Sequence, residues 1–206
     1  MLLQNPLEAF SNPTADYPIL CVLEKVEDPL TTTAIFKRCP GTPRITVHKS
    51  LTRLVDHGIV NRELLGNTYF YSLNRNHILF PVIKELVHVA DNLLEKMRKS
   101  ISAWENTPDI VYLFGSAARG QMTTASDLDL LFVLENETCE KDSMFNDIYA
   151  LCESLRKVTG NEINPVVFYH SEIKNTPLFR DIIQEGVCIY GDNKILKQKV
   201  KGRDGK

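Results

Sequence analysis

Apolar positions Ile19, Leu20, Val22, Leu23 and Val26 recur at helical spacing, which predicts a short helix over residues 16–26. Asp28 and Pro29 break it. Thr31 or Thr32 can cap a second helix running to Arg38, with Ala34 and Ile35 inward. Residues 39–43 form a turn by composition, and a third helix is expected from about Arg44 to His57, ended by Gly58. Its apolar side carries Val47, Leu51, Leu54 and Val55. Thr46, Lys49, Ser50, Arg53 and His57 fall on the other side. After Gly58 the period changes. Residues 59–65 and 68–73 read as two strands joined at Gly66 and Asn67, a hairpin.

The stretch LTRLVDHGIVNRELLGNTYFYSLNRNH, residues 51–77, resembles the recognition-helix end and wing of bacterial and archaeal winged helix-turn-helix regulators. The resemblance implies binding to double-stranded DNA. Arg44, Thr46, Lys49, Ser50 and Arg53 are then the residues expected to face the duplex, with Lys and Arg neutralising phosphates.

Residues 77–105 read as one long helix, with Pro81 in its first turn and an apolar stripe from Val82 through Ile83, Leu86, Leu93, Met97 and Ile101 to Trp104. Such a stripe needs a partner surface, either in its own chain or in the same helix of a second copy, so a homodimer is one expectation. Beyond it the pattern alternates strand and helix. Strands are expected at 110–114, 127–133 and 161–169, helices at 141–159 and 178–185, and a final return to the core at 186–191. The expected organisation is a helix-and-hairpin module at 1–76, a connecting helix at 77–107, a second module at 108–192 and a basic tail at 193–206.

The net charge of −2 conceals a segregation. Residues 31–75 carry seven bases against Asp56 and Glu63, whereas residues 76–191 carry an acidic excess. A basic segment followed by an acidic body implies modules with different partners. The longest apolar runs fall far short of the roughly 20 residues of a membrane-spanning helix, so no membrane partner is expected. Met1 to Phe10 lacks a basic region followed by an apolar core, and no secretory signal is expected. The five cysteines are scattered and never spaced as CxxC, which disfavours disulfide frameworks and zinc sites and fits the cytoplasm.

The second module carries the chemistry. Its first strand runs into Gly115 and Ser116, and its second opens with Asp127 and Asp129. Residues i and i+2 of a strand share a face, so the two aspartates project together and repel each other. A divalent cation between them removes that cost, and carboxylate oxygens suit Mg²⁺. Gly115 allows close approach of backbone to a phosphate, and Ser116 offers a hydroxyl and amide donors.

GSAARGQMTTASDLDLLFV, residues 115–133, resembles the Gly-Ser and Asp-x-Asp signature of nucleotidyltransferases of the DNA polymerase beta superfamily, especially the minimal ones. The resemblance implies an α+β chain whose second half is a mixed sheet with packed helices. It also implies Mg²⁺-dependent transfer of a nucleoside monophosphate from a nucleoside triphosphate to an acceptor. Asp127 and Asp129 are the implied catalytic and metal-holding residues, with Gly115, Ser116 and Arg119 on the nucleotide. The strand after the long helix usually carries a third acid. Here Asn164 takes that place as a weak metal ligand that cannot remove a proton, and Glu162 stands two residues earlier. Two readings follow: a DNA-binding regulator that modifies a protein (such as a toxin partner) or a small molecule, and a regulator whose second domain is a non-catalytic nucleotide sensor or oligomerisation module. Aminoglycoside-modifying enzymes belong to the same superfamily, but no residue here marks an aminoglycoside pocket.

Overall fold

The computed structural model describes residues 1–6, 15–135 and 141–201. Cys139 lies outside them. The chain divides into two compact units, Asn5–Ala90 and Met1–Gln4 with Asp91–Lys206.

The first unit contains α1 (Asp16–Glu24), β1 (Leu30–Thr31), α2 (Thr32–Lys37), α3 (Arg44–Asp56), β2 (Val60–Leu65), β3 (Thr68–Leu73) and α4 (Phe80–Val87). Thr31 caps α2, its hydroxyl accepting from the Ala34 N–H at 3.2 Å. Gly58, at φ +71°, turns the chain out of α3 into the hairpin. The hairpin pairs Val60 with Leu73 and Leu65 with Thr68, and β1 adds to β3 through Leu30 and Tyr71. Three helices followed by a hairpin is the plan of a winged helix. Its core is Ile19, Leu23, Ile35, Val47, Leu51 and Leu54.

Two expectations for this half are corrected. Ser50 is buried rather than outward, its hydroxyl accepting from the Ala15 N–H at 3.2 Å. It lies three residues after Val47 and four before Leu54, so the helical period carries it inward with them. The long connecting helix is interrupted at His88, which leaves helical geometry at φ −98° and ψ 6°, and its imidazole reaches the Glu24 carboxylate at 3.3 Å.

The second unit contains α5 (Val89–Ser102) from Asp91 onward, β4 (Ile110–Phe114), α6 (Gly115–Ala118), β5 (Leu128–Leu134), α7 (Lys141–Thr159), β6 (Ile163–Tyr169), α8 (Pro177–Glu185), β7 (Val187–Gly191) and α9 (Asn193–Lys201). Its sheet has the order β6-β5-β4-β7. β4 runs antiparallel to β5 and β7, while β5 and β6 are parallel and joined through α7. β5 is the inner strand next to the parallel edge, which explains its unbroken buried run from Leu130 to Leu134. The expected basic tail begins as α9. Its Leu196 and Val200 are four apart and pack with Ile110, Phe179 and Ile182, while the intervening Lys197 and Lys199 are half-buried and Lys199 Nζ donates to the His170 carbonyl at 3.2 Å. The architecture is α+β: helices first, then a mixed sheet flanked by helices. Among the described residues no helix is long and apolar enough to cross a membrane.

Burial pushes the Cys39 and Cys152 thiols up to about 11 and the Tyr112 hydroxyl up to about 12. A thiol neutral in the folded state and ionised in the unfolded one favours unfolding once the pH passes the unfolded value of 9.0. Stability against urea is therefore expected to hold below about pH 8.5 and to fall between about pH 9 and 11. Joint Cys39→Ala and Cys152→Ala substitution should flatten that fall. A midpoint that falls equally in the variant would assign the alkaline loss elsewhere.

Candidate functional site

β4 delivers its C-terminal end to the same edge of the sheet as the start of β5. Phe114 of β4 pairs with Asp129 of β5, and Asp129 in turn pairs with Asn164 of β6. Gly115 follows directly at φ +71°, a left-handed turn that breaks the strand and starts α6. A side chain there meets a second obstacle. A Cβ on Gly115 would overlap the Asp129 carboxylate, with Oδ2 the first atom met. Any side chain at this position would therefore displace the Asp129 carboxylate.

Asp127 stands one residue ahead of β5, and its exposed side chain alternates with buried Leu128, half-buried Asp129 and buried Leu130. That alternation puts both aspartates on one side of the sheet. Asn164 donates from Nδ2 to Asp129 Oδ1 at 2.9 Å. The amide therefore already spends a proton on the carboxylate and leaves its oxygen as the remaining acceptor. Glu162 occupies the position before β6 that corresponds to Asp127 before β5, since Leu128 pairs with Ile163. Its backbone oxygen accepts from the Leu128 N–H at 2.9 Å.

Ser116 opens α6 half-buried, and its carbonyl accepts from the Gln121 N–H at 2.9 Å, closing the loop that follows. Arg119 is engaged by Glu185 and Gln121. Its Nη1 lies 3.3 Å from Glu185 Oε2 and its Nε donates to Gln121 Oε1 at 3.1 Å. A cleft of about 220 Å³ opens here, between Gly115, Arg119 and the α8 residues Leu178, Asp181 and Glu185. Glu185 was not legible as a partner of Arg119, since 66 residues separate them.

Gly115, Asp129 and Asn164 are thus brought together, with Asp127 beside them. Among the described residues no group of three or more His, Cys, Asp or Glu is arranged to hold a metal. The donor set is two carboxylates and one amide oxygen. It fits a hard cation that takes one or two protein carboxylates and completes its shell with water and phosphate, as Mg²⁺ does.

Residues 95–195 match the family model for polymerase beta nucleotidyltransferases. This segment carries a nucleotidyltransferase domain of the DNA polymerase beta superfamily. Among solved structures, a mutant of the toxin–antitoxin MntA-HpeT is similar at 14% identity and a TM-score of 0.39, over 52% of this chain and 80% of that one. A toxin–antitoxin crystal structure with AMP-PNP is similar at 17% identity and a TM-score of 0.39, over the same shares. No curated protein matches the chain.

In the winged unit, Arg44 and Lys49 are exposed on α3 and Thr46 is half-buried. Arg53 is exposed but paired, its Nη2 lying 2.5 and 2.6 Å from the two carboxylate oxygens of Asp16. Ile45, Leu64 and Leu65 are exposed as well, so the unit's surface has an apolar part beside its charged one.

Gly115 and Gly160 share a φ of +71°, but a Cβ on Gly160 meets nothing within 4 Å. Gly160→Ala should therefore report the backbone strain alone, about 1 kcal/mol. Gly115→Ala should cost more by urea denaturation, and the excess should vanish in an Asp129→Ala background. Equal costs for the two alanines would contradict the packing of Gly115 on Asp129.

Proposed function

We propose that the second unit is a Mg²⁺-dependent nucleotidyltransferase that moves a nucleoside monophosphate from a triphosphate to a hydroxyl of a protein or small-molecule acceptor. The observation that carries this reading is the Gly115 turn seated on Asp129, with Asp127 on the same side of the sheet, inside the segment that matches the family. Asp127 and Asp129 would hold the cation, with the Asn164 oxygen as a weaker third ligand. When bound, the cation supplies positive charge for the triphosphate. Gly115 and Ser116 offer backbone and hydroxyl donors to phosphate. Arg119 lines the same cleft, paired through Nη1 with Glu185, and is the basic side chain read as a phosphate contact.

Asn164 favours a second reading. Its amide donates to Asp129 and can take no proton from an acceptor, so proton removal falls to Glu162 or to water. A domain that binds nucleotide and transfers slowly, or only senses it, accords with that hydrogen bond. In either case the winged unit is read as the DNA-binding part of a regulator. Arg44, Lys49 and Arg53 are its phosphate contacts, Thr46 stands at the edge of that face, and Ser50 drops out because it is buried. A homodimer is a further element of this reading, since Ile78, just before α4, and Val82, in its first turn, are exposed.

Mg²⁺ with a nucleoside triphosphate should raise the melting temperature, because a ligand of the folded state alone stabilises it. Joint Asp127→Asn and Asp129→Asn substitution should abolish the rise. A rise that survives would place the site elsewhere. With labelled triphosphate, Mg²⁺ and lysate, label should pass slowly to an acceptor, and Asn164→Asp should speed it. Fast native transfer indifferent to both Asn164→Asp and Glu162→Gln would remove the need for an acid on β6.

For the winged unit, Lys49→Ala with Arg53→Ala should weaken binding to double-stranded DNA and reduce the salt slope by about one for each lost contact. Asp16→Asn, which releases Arg53, should strengthen binding. An unchanged slope in the folded double variant would rule out α3 as the DNA-facing helix.

A further inference from the structure

Asn161 is a buried polar residue in the turn between α7 and β6, directly after Gly160. Both ends of its side chain are engaged. Oδ1 accepts from the Met1 amino group at 2.9 Å, and Nδ2 donates to the Ser126 carbonyl at 3.1 Å. Its own N–H donates to Thr159 Oγ1 at 3.2 Å, and that hydroxyl donates to the Leu155 carbonyl at 2.8 Å, which ties the turn to the last turn of α7.

Ser126 is the residue immediately before Asp127. On the other side of Asp127, the Leu128 N–H donates to the Glu162 carbonyl at 2.9 Å. The peptide groups on both sides of Asp127 are thus held by two consecutive residues, Asn161 and Glu162. A local turn completes the arrangement, with the Ser126 N–H donating to the Thr123 carbonyl at 3.1 Å and the Thr123 N–H donating to Ser126 Oγ at 2.9 Å. Asp127 lies one residue outside β5 and is exposed, so its place in the strand's alternation is held by the bonds to its two flanking peptides. Of the bonds flanking it, the one from Asn161 is made by a side chain reaching across from another element. A carbonyl buried against such a donor loses a partner that water cannot readily replace.

We infer that Asn161 is a positioning residue: by anchoring the Ser126 carbonyl it sets the direction in which Asp127 presents its carboxylate beside Asp129. This inference rests on the reading of those two aspartates as the cation-holding pair. Groups that orient a ligand without touching the metal typically govern affinity by tenfold or more.

The decisive variant is Asn161→Asp in the full chain. It preserves the shape and the oxygen facing Met1 but replaces the N–H donor to Ser126 with an acceptor. Titration calorimetry with Mg²⁺ and a non-hydrolysable ATP analogue should show affinity reduced about tenfold. Binding of the analogue without Mg²⁺ should stay as in the native protein. Leu196→Ala, a core truncation in α9 of the same unit, controls for destabilisation: it should lower the melting temperature and leave Mg²⁺-dependent affinity unchanged. Native affinity in Asn161→Asp, or an equal loss in Leu196→Ala, would overturn the inference. If the native protein itself does not bind the analogue with Mg²⁺, the reading of the aspartate pair fails first. Amide exchange at Leu128 then decides the role of Asn161. Faster exchange in Asn161→Asp supports the clamp, and unchanged exchange overturns it.

Discussion

The contact between the Gly115 backbone and the Asp129 carboxylate is the constraint on which the candidate site depends. A Cβ at position 115 would displace that carboxylate, and the left-handed turn the glycine adopts ends β4 where α6 begins. Asp129 is then confined between two neighbours in the sheet, with Phe114 on one side and Asn164 on the other. A carboxylate fixed by packing and by a hydrogen bond has lost most of its freedom before any ligand arrives, which is the preorganisation that a cation or phosphate site requires.

The sheet supplies the remaining precision. Parallel pairing of β5 with β6 places residues 129 and 164 at matching positions along adjacent strands, with residues 127 and 162 each directly preceding its strand. A strand shifted by one residue would send the aspartates into the layer now filled by Leu128 and Leu130, so the buried leucines fix the register that the polar residues use. The same logic accounts for the charge balance of the pocket wall. Arg119 is compensated by Glu185, which keeps a cation at the cleft without leaving it unpaired.

Much of this was legible in the chain. The 3.6-residue period and Gly58 gave α3, the alternation and Gly66 gave the hairpin, and the Gly115, Ser116, Asp127 and Asp129 spacing pointed to the edge of the sheet where they meet. What stayed hidden was set by tertiary neighbours. Ser50 has the chemistry of a surface residue but the phase of a core one, and only the packing of residue 15 against α3 shows which prevails. The break falls at His88, whose imidazole meets Glu24, far away in sequence. The lysines of residues 193–201 masked the four-residue spacing of Leu196 and Val200. Asn161 and Glu185 have no local signature at all, because their partners come from other elements.

The two units therefore differ in how directly their residues speak. In the winged unit the exposed bases of α3 sit on a fold whose core explains everything inward, and one of them, Arg53, is already engaged by Asp16. In the sheet unit the residues that face the candidate site also hold one another in place. The most direct test is a crystal structure with Mg²⁺ and a non-hydrolysable nucleoside triphosphate. The account predicts the cation on Asp127 and Asp129, with phosphate against Gly115 and Ser116. A triphosphate bound elsewhere, with both aspartates uncoordinated, would contradict it.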